Sequence, residues 1–259
     1  MSTPDSAPEP TAAQHPASER RPWPLLLVGL ALIGILALAV LTSTDEGPAL
    51  EAPEAADAPD QDSPGTGEVT EEMREVGEDL ARRDTDDPFA LGDTDAPVVM
   101  IVWSDFHCPY CGQWVRETQS ELVEDYVEAG ELRLEWRELP LQGEGSTTLA
   151  QASYAAGEQE QFWEFHDTYF AEERERYSGE ELESEITEIA EEIGIDAEQL
   201  ASDMDSEQAE EHVELDAQEG QALGMTSTPA FLVNGEAIIG AQPTPVFVEA
   251  VDAALEEAG

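Results

Sequence analysis

Cys108 and Cys111 are the only cysteines in the chain, and only Pro109 and Tyr110 separate them. An apolar run, Val98 to Trp103, leads into the pair, and a helical pattern follows it. A C-x-x-C placed where a strand passes into a helix is suited to thiol–disulfide exchange. One thiolate attacks a partner's disulfide, and the second must reach back to release the mixed disulfide. Two other uses of the pair compete. A structural staple over so short a loop would contribute only about 2 kcal/mol by chain entropy. A zinc site needs four ligands, whereas the chain adds only four scattered histidines and no second C-x-x-C. The spacing therefore points to redox chemistry, with no metal and no bound cofactor.

The flanking residues say how the pair is positioned. Pro109 suits the first helical position, where its missing N–H would have no partner in any case. Cys108 then falls at the N-cap, with its sulfur facing the free N–H groups of the first turn, that of Cys111 included. Such surroundings lower a cysteine pKa from about 8.5 to between about 3.5 and 7.5. Cys108 is thus expected to be the attacking, accessible sulfur, and Cys111, one turn on, the more buried resolving one. Pro109 and Tyr110 set the local donors and bulk, and hence the redox poise. Thr228-Pro229 is the second element of interest, because a proline there opens a strand. It reads either as an edge proline or as a cis peptide that turns the Thr228 backbone toward the cysteines. Cis forms make up only about 5–6% of X–Pro bonds, so the local sequence leaves both open.

The rest of the pattern supplies a frame. Glu68 to Arg83 reads as a short helix, and Asp93 to Pro97 as a turn into the buried strand Val98–Trp103. Pro109 to Ala129 reads as a helix, with Val115, Leu122 and Tyr126 on one face and Gly130 as its stop. Leu132 to Leu139 alternates like a strand. From Ser146 to Leu223 the period is almost all helical, including helices at Gly179–Ile193 and Ser206–Leu223. Phe162, Phe165, His166, Tyr169 and Phe170 share one helical face, a stripe expected to pack in the core. Ala230–Val233, Asn234-Gly235 and Ala237–Ile239 form a hairpin, and Thr244 to Ala258 a closing helix. The order is strand, helix, strand, a block of helices, hairpin, helix. It specifies an α/β chain, a thioredoxin-like sheet with a helical insertion at about 146–223.

Composition bounds the setting. The 259 residues carry 60 acids against 10 bases, a formal charge of -50, and every base is arginine. Nucleic acid is excluded as a partner, because phosphate is repelled by such a surface. A hydrophobic content of 41% still builds a core. Acidic surfaces are tolerated where salt screens them, so a salt-adapted protein is expected, with generic solubility as the alternative.

The N-terminal part divides in three. Residues 1–22, rich in Pro, Ser, Ala and Glu, read as a disordered cytoplasmic tail. Residues 23–42 hold an uncharged apolar run from Leu25 to Thr42, long enough for one transmembrane helix. Arg20 and Arg21 before it, against Asp45 and Glu46 after it, place the N-terminus inside and the remainder outside the cell membrane. A cleaved signal peptide is the competing reading. Residues 43–67 read as an acidic flexible linker, and 68–259 as the catalytic domain.

Three stretches in this order resemble the DsbA-like thiol–disulfide oxidoreductases, in particular their membrane-anchored bacterial branch. They are Leu91 to Val98 running into Ser104–Cys111, Gly157 to Asp167, and Leu223 to Gly235. The resemblance covers about residues 86–257. It implies that Pro229 is cis and that the Thr228 backbone offers hydrogen bonds to an extended substrate, a form of strand addition. It also implies exported polypeptides with thiols or disulfides as substrates, and a membrane redox partner for reoxidation. Many relatives carry a buried carboxylate six residues before the first cysteine; here that position is Val102, so a proton relay must use water or another group. Glutaredoxins share the C-P-Y-C sequence but lack the insertion and the anchor. Formation or reshuffling of disulfides is the expected task. A reductase or isomerase of the same fold, or a non-enzymatic binding module, are the rivals.

Overall fold

A computed structural model describes residues 70–259 of the chain. The expected tail at 1–22, membrane helix at 23–42 and linker at 43–67 lie outside the described residues. Among the described residues, no helix is long and apolar enough to cross a membrane.

The core is a five-stranded mixed sheet in the order β1-β3-β2-β4-β5. Its strands are β1 (Ala90–Leu91), β2 (Val98–Ser104), β3 (Leu132–Glu138), β4 (Ala230–Val233) and β5 (Glu236–Ile239). Strands β2 and β3 run parallel, and every other pair is antiparallel. A parallel pair needs a crossover, which begins with α2 (Pro109–Trp114), directly after the cysteine turn. The helix continues through a π-helical stretch at Val115–Gln119, an α turn at Ser120–Leu122 and a second π stretch at Val123–Val127. Gly130, at φ 73°, lets the chain turn back into β3.

Every residue of β2 is buried, as expected of a central strand covered on both faces. Met100 and Val102 join Leu132, Leu134 and Trp136 in the larger core, while Val99, Ile101 and Trp103 line a smaller one on the other face. The alternation of β3 is real, but its polar face is buried as well. Arg133, Glu135 and Arg137 are almost wholly covered. Glu135 accepts from Arg133 Nε at 2.9 Å and from Arg137 Nη2 at 2.8 Å. The backbone N–H groups of Arg82 and Arg83 donate to the same carboxylate, at 3.0 and 3.1 Å. Charges can be buried here because each finds a partner.

The helical block consists of α3 (Glu144–Gly157), α4 (Phe162–Phe170), α5 (Glu180–Ile193), α6 (Ala197–Met204) and α7 (Glu207–Ala222). It sits where the periodicity places it. Helix α6 was not expected; Asp196 caps it, accepting from the N–H groups of Glu198 and Gln199. The aromatic stripe of α4 is buried and packs on Phe106 and Trp136, with Phe106 stacked on Phe170 at 5.0 Å. His166, in the stripe, pairs through Nδ1 with Asp167 at 2.8 Å. The hairpin turns at Asn234-Gly235, both at positive φ. Helix α1 (Glu71–Leu80) lies so close to that turn that a side chain at Gly77 would meet the Gly235 nitrogen at 2.7 Å. Helix α8 (Thr244–Ala258) closes the chain.

Candidate active site

The site forms where β2 ends. Asp105 is buried in the turn and fixes it from three sides, accepting from the N–H groups of His107 (2.8 Å), Leu141 (2.7 Å) and Gln142 (3.0 Å). Cys108 follows in extended conformation, and its carbonyl accepts from Cys111 N at 3.1 Å and Gly112 N at 3.2 Å. Cys108 takes the N-cap position and Pro109 the first helical position, as read from the sequence, but the sulfur makes no capping hydrogen bond.

The two thiols are unbridged. Cys111 is fully buried, as expected. Cys108 is more covered than expected, at only 5% exposure, while Tyr110 between them stands 62% exposed. The covering comes from the strand-opening proline segment. The Thr228–Pro229 peptide is cis, and Cys108 Sγ donates to the Thr228 carbonyl at 3.2 Å. The β2–β4 register explains the meeting: Ala230 pairs with Trp103, which brings the residues before Ala230 level with the turn after β2.

The environments drive the thiols apart in acidity. Cys108 is lowered to about 6. The Cys111 thiol hydrogen-bonding to it contributes most; the Thr228 hydroxyl and the N–H groups of Cys111 and Tyr110 add to this, against the opposing effect of burial. Cys111 is raised well above its ordinary value by burial first, then by its hydrogen bond to Cys108 and the charge there. Burial also lowers the pKa of His107, and Arg176 acts in the same direction against the attraction of Asp105.

Sequence reasoning missed Glu138. Val102 does lie in the apolar core, but Glu138 brings a fully buried carboxyl onto the same face of the sheet. It stands opposite Ser104 in the β2–β3 register. Its Oε1 accepts from Trp136 Nε1 and Ser153 Oγ, both at 2.8 Å, and among the described residues it forms no salt bridge. Burial pushes its pKa well up, and the Asp216 and Asp105 charges add to this. Ser104, its neighbour, lies beside Cys111 and favours that thiolate. The signal was present in the alternation: Glu138 continues the apolar set Leu132, Leu134, Trp136.

A cavity of about 220 Å³ opens beside Cys108, over Phe106 and Phe170, with Arg116, Arg174 and Arg176 in its wall. Cys108 and Thr228 are therefore brought together, and Cys108 also borders an open cleft.

Comparison with known proteins agrees with this geometry. The thioredoxin family model matches residues 84–253. The probable disulfide bond formation protein D of Bacillus anthracis is 33% identical over 152 residues, 56% of this chain and 69% of that protein. The chain belongs to the DsbA-like thiol–disulfide oxidoreductases of the thioredoxin family. The crystal structure of a thioredoxin-like oxidoreductase from Silicibacter pomeroyi DSS-3 is 32% identical, covers 67% of this chain and 94% of that one, and superposes with a TM-score of 0.57. The fold of this DsbA-like chain is also that of oxidised BdbD from Bacillus subtilis, with a TM-score of 0.60 at 23% identity, covering 65% of this chain and 92% of that one. A Na(+)/H(+) antiporter, NhaA 3 of Salinispora tropica, matches at 30% identity over 68% of this chain. The chain spans about a quarter of that antiporter's length, 25%.

Proposed function

We propose that the chain oxidises or reshuffles the thiols of exported polypeptides through Cys108 and Cys111, from a membrane-anchored position outside the cytoplasm. In the forward step a substrate thiolate attacks Cys108 Sγ of the oxidised pair. The Cys108–Cys111 bond breaks, and Cys111 leaves with the electron pair and takes up a proton. The substrate's second thiolate then attacks its own bridged sulfur and expels Cys108 as a thiolate. Two electrons have passed from substrate to enzyme, and a membrane redox partner takes them on.

One observation carries this reading: two neighbouring thiols at the start of α2, one beside the Thr228 carbonyl and the other fully buried, whose surroundings shift their acidities in opposite directions. A stabilised Cys108 anion is a good leaving group, and it favours the reduced form of the pair, which makes the disulfide an oxidant. Thr228 supports the substrate side, as its backbone meets Cys108 just before β4, and an extended substrate segment would align along it. Pro109 and Tyr110, between the two cysteines in sequence, set the local donors and bulk and so tune the poise.

Trapping tests the assignment. Cys111→Ala should accumulate mixed disulfides with envelope polypeptides through Cys108, and Cys108→Ala should abolish both trapping and oxidation of reduced ribonuclease. A Cys108→Ala protein that still oxidises ribonuclease would refute it.

A further inference from the structure

Arginine is scarce in this chain and unevenly spent. All ten bases are arginines, and two of them, Arg20 and Arg21, precede the described residues. Of the remaining eight, three line the cleft that opens at Cys108. The others are engaged elsewhere. Arg82, Arg133 and Arg137 are tied to buried carboxylates, Arg74 pairs with Glu257 at 2.8 Å, and Arg83 donates to the carbonyls of Thr94 and Ala96.

The cleft arginines stand on both sides of the reactive turn. Arg116 lies over Gly112, one turn along the helix from Cys108, so closely that a side chain at Gly112 would meet its Nη1 at 2.8 Å. Its Nη1 donates to the Phe170 carbonyl at 3.1 Å, and its other nitrogen has only a loose partner, Glu173 at 3.8 Å, whose side chain is 92% exposed. Arg176 stands on the other side, near enough to His107 to influence its protonation. Among the described residues Arg176 has no carboxylate in ion-pair range; its contact is Gln142 Oε1 at 3.4 Å. Arg174 is different. Its guanidinium is fixed by Glu185 at 3.0 Å and by the carbonyls of Thr168 and Tyr169, so it holds the wall in shape. Glu172 also lines the cleft, reaching Arg174 only at 3.9 Å with a side chain 76% exposed.

These guanidinium groups are not what activates the thiol, because the largest influences on Cys108 are hydrogen bonds and burial. Their position fits a binding role. A chain with a charge of -50 repels any acidic partner over most of its surface. A substrate exposed to the same solvent as this chain faces the same selection for an acidic surface. Such a substrate needs one place near the sulfur where carboxylates are accepted. Short-range contacts of guanidinium with carboxylate survive salt that screens the long-range repulsion.

We propose that the Arg116–Arg176 cleft receives an acidic stretch of the substrate polypeptide, with aspartate or glutamate placed a few residues from its reacting cysteine. The incoming carboxylates replace the loosely held Glu172 and Glu173, and Phe106 and Phe170 form the apolar floor beneath the substrate backbone. This rests on the oxidoreductase reading above and names its substrate class.

The test uses the full chain and three dithiol peptides of one sequence, flanked by glutamate, glutamine or lysine. The kcat/KM for oxidation should be about fivefold or more higher for the glutamate peptide than for the glutamine peptide, the size of one modest charge contact. It should be lowest for the lysine peptide. In the Arg116→Gln, Arg176→Gln double variant the three values should converge. Binding of a serine-for-cysteine glutamate peptide, followed by fluorescence anisotropy, gives a readout free of redox chemistry and should weaken in the same variant. Equal turnover of the three peptides by the unmodified protein would overturn the inference, as would a glutamate preference that persists in the double variant. Anisotropy binding without any turnover would instead sustain the cleft and fault the oxidoreductase reading.

Discussion

The sulfur of Cys108 lies 3.2 Å from the carbonyl oxygen of Thr228, a residue 120 positions further along the chain. The Thr228 hydroxyl, buried and without a hydrogen-bond partner of its own among the described residues, lies near enough to favour the Cys108 thiolate, behind the larger contribution of Cys111. Thr228→Val keeps the shape and removes that hydroxyl. The expected result is a Cys108 pKa raised by up to about one unit, and a reduction potential shifted by up to about 30 mV to the negative. Equilibration of the variant with glutathione buffers measures the shift. An unchanged or more positive potential would count against the role given to Thr228.

The buried ion network of β3 predicts an acid limit to stability. Burial alone would raise the Glu135 pKa. The Arg82 N–H, the Arg133 guanidinium, the Arg137 charge and the Arg83 N–H outweigh it and hold the group at about 2. A carboxylate depressed in the folded state stabilises fully above its ordinary value, and that contribution is lost as pH falls from about 4.5 toward 2. Urea unfolding at pH 7 and pH 3 should show the loss. Glu135→Gln strands two buried guanidinium groups and should cost about 3–5 kcal/mol at pH 7. A cost below about 1 kcal/mol would mean the network is dispensable.

Glu138 should behave in the opposite sense. Its folded pKa is raised by burial, so its contribution is favourable below the ordinary carboxyl range and is lost as pH rises through the folded value. Glu138→Gln preserves an acceptor for Trp136 and Ser153 and cannot ionise. The variant should therefore match the unmodified protein near pH 4 and gain on it progressively toward pH 8. A stability difference independent of pH would show that Glu138 does not titrate as an isolated buried acid.

Much of this architecture was legible from pattern. The cysteine pair, the strand before it, the aromatic stripe of α4 and the Asn234-Gly235 hairpin each carry a local signal strong enough to survive tertiary packing. Other features depend on what lies opposite in space. The alternation of β3 marks a strand, but only the loop at Arg82–Arg83 and helix α7 make its charged face an interior one. Glu138 follows the apolar period, yet its carboxyl disguises a core position. Helix α6 is short and acidic, and its cap at Asp196 is its clearest mark. The coverage of Cys108 comes from a segment more than a hundred residues away, which no local pattern could disclose.

The central claim is that Cys108 is held as an anion near neutral pH while Cys111 stays protonated. Alkylation of the reduced protein by iodoacetamide across pH, with mass spectrometry locating the adduct, measures this directly. Modification confined to Cys108 with a midpoint near pH 6 is the expected result. A midpoint at about 8.5, that of an unperturbed thiol, or modification shared equally between the two sulfurs, would contradict it.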